Sequence, residues 1–171
     1  LFFEMEPVAI QMFNLQDIRD LYNSYELKRL AQKIVKAFTH IVNSFDNFEG
    51  LKPLIKKLGS MHGTKGVSPA QYAAFGKAVM LTVEEVLGDQ FTPETKRAWE
   101  TFYRILSSSM QREAFGGQAD MIGEEISPLK LRLVQSSWRQ AIQDEQSGIT
   151  AFKLFFEMEP VAIQMFNLQD I

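Results

Sequence analysis

The sequence predicts an all-α domain of about seven helices, joined by short connections and without a β-sheet. Three observations support this fold class. Apolar residues recur every three to four positions over most of the chain, no stretch alternates apolar and polar residues, and Ser-Pro or Thr-Pro pairs precede several of the apolar runs. A chain of 171 residues is also long enough to bury its own core without disulfides or a structural metal.

The composition excludes several classes of function. The 18 basic and 21 acidic residues give a net charge of −3, so charge provides no argument for a nucleic acid or an anionic membrane as partner. The absence of Cys excludes disulfides, thiol catalysis and Cys-ligated zinc or iron–sulfur sites, and it fits a cytoplasmic protein. No apolar run reaches the ~18 residues that indicate a membrane span.

The two ends of the chain carry the same 18-residue sequence. Residues 1–18 recur without a single change as residues 154–171. A repeat period of domain length predicts either a window from identical tandem domains or an engineered permutant with overlapping ends. In both cases we expect the natural start of the domain to lie inside this chain.

The most suitable position for the start of the domain follows a glycine-containing stretch. Three glycines and a lack of periodicity indicate a linker over residues 116–126. Ser127 and Pro128 then form a typical helix start, with Ser at the N-cap and Pro at the first helical position. We therefore expect the domain to run in the order 127–153 and then 1–115, with the 18-residue segment supplied from either end.

Helices are predicted in two parts of the chain before residue 46, one around Pro7 and one from Leu27 onward. Pro7 should end one helix and open a short one. Asn23 and Glu26 have the spacing of a capping box, and from Leu27 to Phe45 the apolar residues follow the 3.6-residue period of a helix packed on one face.

Five further helices are predicted from signals at their ends. Gly59 should end a short helix, whereas the pairs Ser68-Pro69 and Thr92-Pro93 should each begin one. The five helices span residues 51–58, 68–88, 92–110, 127–142 and 147–158.

His62 is the residue that the sequence singles out for chemistry. It is one of only two histidines, and it lies in a glycine-containing stretch between two apolar helical patterns. A neutral imidazole is a good axial ligand for haem iron, and a short corner after a helix end can hold its ring against a flat cofactor. From the residues alone, a capping or surface role for this histidine is the alternative.

Taken in the order 127–153 and then 1–115, the chain resembles the globins, and most closely the neuroglobin-like and nerve globins of animals. The resemblance rests on motifs that recur in order and at globin spacing over nearly the whole domain. They are Ser137-Trp138-Arg139, Leu154 to Pro160 leading to Phe166 (or Leu1 to Phe13), Leu58-Gly-Ser-Met-His62 with Gly66-Val67, Leu87 to Pro93, and Trp99 with Tyr103.

The resemblance implies a globin fold, with its helices packed three over three around haem. Residues 1–115 would supply the end of helix B through helix H, and residues 127–171 would supply helices A, B and the start of C. It also implies that His62 is the proximal ligand of the iron in haem b, iron protoporphyrin IX. The other contacts implied on the proximal side and on the porphyrin face are Phe13 or its duplicate Phe166, Leu58, Val67, Tyr72 and Phe75.

On the distal side the sequence departs from the common globin pattern. The resemblance puts Leu30, thirty-two residues before the proximal histidine, where many globins carry a histidine. Ile34 would line the pocket, Phe152 would face it from another helix, and Lys33 would bind a haem propionate. A register with a shorter loop would put Gln32 at the distal position, but it would turn Ile34 out of the pocket.

The resemblance implies a protein that reversibly binds oxygen and other diatomic gases, for oxygen storage, transport or sensing. Dioxygen, CO and NO are the expected ligands. Because an apolar distal pocket offers oxygen no hydrogen bond, we expect fast oxygen release and a high preference for CO. The protein is not expected to be an enzyme, apart from side reactions as a nitric oxide dioxygenase or nitrite reductase.

Two questions stay open at this point. A haem-free globin-fold module for regulation or interaction is the second class of function, although His62 favours a haem protein. The surplus copy of the duplicated segment carries Leu, Phe and Met side chains that stabilise by ~1.5–3 kcal/mol each when buried. We therefore expect it to seek a partner chain and to cause domain-swapped or head-to-tail self-association.

Overall fold

The computed structural model describes residues 20–114 and 125–166. Six α-helices lie wholly within these ranges: α1 (Tyr25–Asn43), α2 (Phe48–Thr64), α3 (Pro69–Leu87), α4 (Pro93–Ala114), α5 (Pro128–Ala141) and α6 (Ser147–Met158). Three 3₁₀ helices accompany them, at Phe45–Asn47, Gly88–Gln90 and Pro160–Phe166. The described residues contain no strand, which confirms the predicted all-α class. None of their helices is long and apolar enough to cross a membrane.

Serine side chains cap three of these helices. Ser68 and Gln71 form a complete capping box at the start of α3, and Ser127 caps α5 as predicted. At α1 the cap is Ser24 rather than the predicted Asn23, because the Ser24 hydroxyl accepts a hydrogen bond from a backbone N–H of the first turn. The helix signals at Pro7 and most of the predicted linker lie outside the described residues.

The prediction that Gly59 ends a short helix is wrong, because α2 continues past it for more than a turn. The glycine instead lets α2 lie close against α4, since a Cβ atom at this position would lie 2.5 Å from the carbonyl oxygen of Met110. Gly63 faces the carbonyl oxygen of Ala114 in the same way, at 2.8 Å. His62 therefore lies in the last turn of a helix rather than in a corner after one.

The larger part of the core is built around Trp99 of α4, which is fully buried. Its ring stacks on Phe38 of α1 at a centroid distance of 6.2 Å, and its indole N–H donates to the Ser137 hydroxyl at 2.8 Å. Trp138 of α5 packs edge-on against Trp99 and donates its indole N–H to the Thr39 hydroxyl at 2.9 Å. Both indole N–H groups thus have hydrogen-bond partners. The same two rings hold α5 against α1 and α4.

The second part of the core joins α6 and the 3₁₀ helix after it to α1 and α3. Its buried side chains include Phe152, Phe155, Phe156, Ile163 and, from the start of the described chain, Leu21. Residues 154–166 of this region belong to the second copy of the duplicated sequence. The second copy therefore forms one side of the space enclosed by α1, α2 and α3.

Candidate functional site

A cavity of about 260 Å³ lies among α1, α2, α3, α4 and the second copy of the duplicated sequence. Its volume is just below the ~300–1,000 Å³ that is typical of sites for small molecules and cofactors. Most of its wall is apolar. Eight of the residues that the resemblance assigned to the haem site line it: Leu30, Ile34, Leu58, His62, Val67, Tyr72, Phe75 and Phe166.

The other three assigned residues lie elsewhere. Lys33 is exposed on α1 and does not line the cavity. Phe152 is buried behind the wall, where its ring packs edge-on against Phe166 at a centroid distance of 5.6 Å and against Phe75 at 6.4 Å. Phe13 lies outside the described residues, and its duplicate Phe166 is the copy that lines the cavity.

Sequence reasoning missed part of the wall. Phe38 and Ile41 continue the stripe of α1 that starts with Leu30 and Ile34, so the helical period could have found them. The contribution of α4 could not be found this way, because periodicity does not tell which neighbour a helix face will contact. The missed residues are Ala37, Phe38, Ile41, Met61, Lys65, Gln71, Tyr103, Leu106, Ser107, Met110, Phe155 and Met165.

His62 is held by its own helix through one ring nitrogen. Its Nδ1 lies 2.6 Å from the carbonyl oxygen of Leu58, one helical turn earlier. Because a carbonyl oxygen only accepts, Nδ1 carries the proton and Nε2 keeps its lone pair. Burial lowers the pKa of His62, the bond to Leu58 opposes this to a smaller extent, and nearby Lys65 lowers it further. The ring is therefore neutral, as a metal-ligating histidine must be.

Tyr72 of α3 packs beside this histidine. The rings of Tyr72 and His62 stack at a centroid distance of 5.6 Å with 30° between their planes, which limits rotation of the imidazole. The Tyr103 hydroxyl donates to the backbone carbonyl of Tyr72 at 2.5 Å and so ties α4 to α3. Burial raises the pKa of Tyr72, so the phenol is neutral. Its own hydroxyl is buried and has no hydrogen-bond partner among the described residues.

Polar and apolar groups enter the cavity from different elements. The side chains from α1 are all apolar, as are those from the second copy of the duplicated sequence. The polar ones come from the end of α2, the start of α3, and α4: His62, Lys65, Gln71, Tyr72, Tyr103 and Ser107. A molecule in the cavity would therefore meet hydrogen-bonding groups beside the histidine and only hydrocarbon or thioether groups toward α1.

This set of residues fits a flat apolar cofactor that carries a metal ion and acidic groups at its edge. The Nε2 atom of His62 would be a suitable ligand for the metal ion, and Lys65 would supply a positive charge for a carboxylate. The Tyr72 hydroxyl is a buried donor that lacks a protein partner within the described chain. These features fit haem.

Comparison with known proteins identifies a matching family and several similar proteins. The family model described as Globin matches residues 1–110. Neuroglobin-1 of Oncorhynchus mykiss is 27% identical over 114 residues, which cover 64% of this chain and 72% of that protein. No solved structure matches the chain.

Bacterial flavohemoproteins are also similar to the chain. That of Bacillus subtilis is 25% identical over 95 residues, which cover 54% of this chain and 24% of that protein. That of Rhizobium meliloti is 25% identical over 151 residues, which cover 84% of this chain and 34% of that protein. The chain thus spans only a minor part of the length of these two relatives.

These flavohemoproteins correct one prediction. The prediction that the protein is not an enzyme is wrong, because the proteins similar to it include flavohemoproteins, whose name joins a flavin to haem. Flavins transfer hydride and single electrons in enzymes.

Proposed function

Because the chain belongs to the globin family, we propose that it holds haem b through Nε2 of His62 and binds diatomic gases reversibly on the opposite side. Bound haem supplies a ferrous iron atom that takes up oxygen, CO or NO. The observation that carries the proposal is the hydrogen bond between His62 and Leu58, which leaves Nε2 of a cavity-lining histidine available as a ligand.

The neighbours of His62 prepare it for this role. A histidine whose Nδ1–H donates to a backbone carbonyl is a stronger base at Nε2 and is fixed in orientation. The stacked ring of Tyr72 restricts the imidazole further. Both constraints come from groups of the protein itself, so they reduce the freedom that the imidazole would lose on binding.

On the opposite side we assign the contact with the gas to Leu30, Ile34 and Phe155, which line the cavity and carry no proton donor. A hydrogen bond would stabilise bound oxygen by about 1–1.5 kcal/mol and would stabilise CO far less. Without such a donor, oxygen release should be fast and CO should be strongly preferred.

The propionate groups at the edge of haem are negatively charged and favour cationic partners. Both Lys65 and Lys33 are exposed, but only Lys65 lines the cavity. We assign the main propionate contact to Lys65, because of its place in the cavity wall, and a secondary contact to Lys33.

Absorption spectra test the proposal directly. The chain reconstituted with hemin should show a Soret band that shifts on reduction with dithionite and shifts again under CO. Failure to take up hemin would contradict the proposal and would favour the haem-free interaction module instead.

The flavohemoprotein relatives favour a second candidate function, in which this domain exchanges electrons with a flavin-containing reductase. Its test is the rate at which a purified flavin reductase and NADH reduce the ferric chain. A rate no higher than that with NADH alone would contradict it.

We also propose the permuted domain order and self-association through the surplus copy of the duplicated segment. The order is supported by the family match, which covers residues 1–110 and leaves α5 and α6 outside it, although both pack in the core with α1. Sedimentation velocity over a range of concentrations tests the association. A monomer at every micromolar concentration would contradict it.

A further inference from the structure

Two copies of one sequence are available for a single position in the core. Residues 154–166 occupy this position, and Phe156 and Ala162 are fully buried there. Residues 1–13 carry the identical sequence. Because identical side chains can make identical contacts, packing complementarity does not distinguish the two copies.

The described chain begins beside this position. Leu21 is only 6% exposed and belongs to the same apolar cluster as Phe156 and Ile163. The ring of Tyr22 lies against α6, with the Lys153 ammonium 5.2 Å from its centroid. Since the first copy ends at residue 18, a connection of two residues separates it from Leu21, which already packs in this cluster.

The family match supports the first copy as an occupant, because it runs continuously from residue 1 through α1 to residue 110. The geometry of α6 explains why the second copy is used in the structure. This helix runs unbroken from Ser147 to Met158, across the start of the second copy. The first copy in the same position would leave the helix interrupted after Lys153, so helix continuity favours the second copy without excluding the first.

We propose that this position is exchangeable within one chain, so that residues 1–18 replace residues 154–171 whenever the second copy cannot pack. Phe2, Met12 and Phe13 would then take the cavity-lining places of Phe155, Met165 and Phe166. The consequence that either copy completes a haem site rests on the proposed function. The exchange itself rests on packing alone.

Matched substitutions in the two copies test the exchange. Phe156→Asp puts a charge at a fully buried position, and Phe3→Asp makes the same change in the first copy. Phe3→Asp should leave the melting midpoint and the Soret absorbance unchanged. Phe156→Asp should stay helical by far-UV circular dichroism and keep most of its Soret absorbance, with haem loss several-fold faster. The double variant should be unfolded, and a Phe156→Asp variant as unfolded as the double variant would overturn the proposal.

A milder pair of substitutions measures the same coupling. Phe3→Ala should lower the melting midpoint by several degrees in the Phe156→Ala background and should have no effect in the unmodified chain. This coupling has no source unless both copies use one position. Equal effects of Phe3→Ala in the two backgrounds would overturn the exchange.

Sedimentation of the Phe156→Asp variant identifies the source of the replacing copy. The expected result is that the Phe156→Asp variant stays folded at concentrations low enough for the unmodified chain to be a monomer. If the Phe156→Asp variant folds only as a dimer, exchange within one chain would be overturned, because the replacing copy would then come from a partner chain. An unmodified chain that binds no haem would contradict the proposed function, while the melting and sedimentation results would still decide the exchange.

Discussion

The imidazole of His62 and the carbonyl oxygen of Leu58 are one helical turn apart in α2 and joined by a hydrogen bond of 2.6 Å. The bond exists because α2 continues through Gly59, a glycine that brings this helix against the backbone of α4. The close packing of two helices and the orientation of the candidate iron ligand therefore have one local cause.

Replacement of His62 by Ala should abolish the Soret spectrum of a ferrous haem with a nitrogen ligand, because the protein then lacks its axial ligand. His40→Ala is the matched control, since the only other histidine is exposed on α1. Absorption spectra after reconstitution with hemin measure both variants. A normal spectrum from the His62→Ala chain would remove this residue from the site.

Leu30→Gln should slow oxygen release by about tenfold, because it introduces an amide donor worth about 1–1.5 kcal/mol to bound oxygen. CO release should change far less. Leu30→Met is the apolar control of similar volume. Stopped-flow displacement of oxygen by CO measures the rates, and an unchanged oxygen rate in Leu30→Gln would place this residue away from the bound gas.

Lys65→Ala should speed the loss of hemin several-fold, since Lys65 lines the cavity. Lys33→Ala should have a smaller effect, because Lys33 does not line the cavity. Transfer of hemin to an apoprotein acceptor measures both rates. A larger effect from Lys33→Ala would reverse the assignment of the main propionate partner.

Gly59→Ala should destabilise the chain by about 1–3 kcal/mol, because the added methyl group would meet the Met110 carbonyl oxygen. The higher helix propensity of alanine, worth about 1 kcal/mol, offsets only part of this cost. Ser60→Ala, at the exposed neighbouring position, is the control. Urea unfolding measures both free energies, and equal values for the two variants would show that α2 and α4 can move apart at no cost.

Stability should fall at alkaline pH because burial raises the pKa of Tyr103 above its ordinary value of about 10. The folded state holds the neutral phenol, so this group costs nothing below about pH 10. Above that pH the unfolded chain releases the proton more readily, and stability declines as pH rises. Tyr103→Phe should flatten this decline, although it loses the bond to the Tyr72 carbonyl. Melting midpoints from pH 8 to 11 measure it, with exposed Tyr25→Phe as the control.

Local signals determined much of the fold. The 3.6-residue period, the Ser-Pro start at α3 and the Ser127 cap at α5 each depend on residues within one or two turns, so the sequence contains them in full. The same argument failed at Gly59. A glycine after an apolar run has the same local signature whether it ends a helix or lies under a neighbouring helix, and only the position of Met110 in α4 distinguishes the two cases.

The sequence by itself determined the fold class, the singular position of His62 and the apolar stripe of α1 that begins at Leu30. Tertiary structure decided the tautomer-fixing bond to Leu58, the entry of Lys65 rather than Lys33 into the cavity wall, and the use of residues 154–166 in the core. The reason for the last of these is physical. Two identical segments carry identical local information, so the second copy is favoured by its context, as the continuation of an unbroken helix that begins at Ser147.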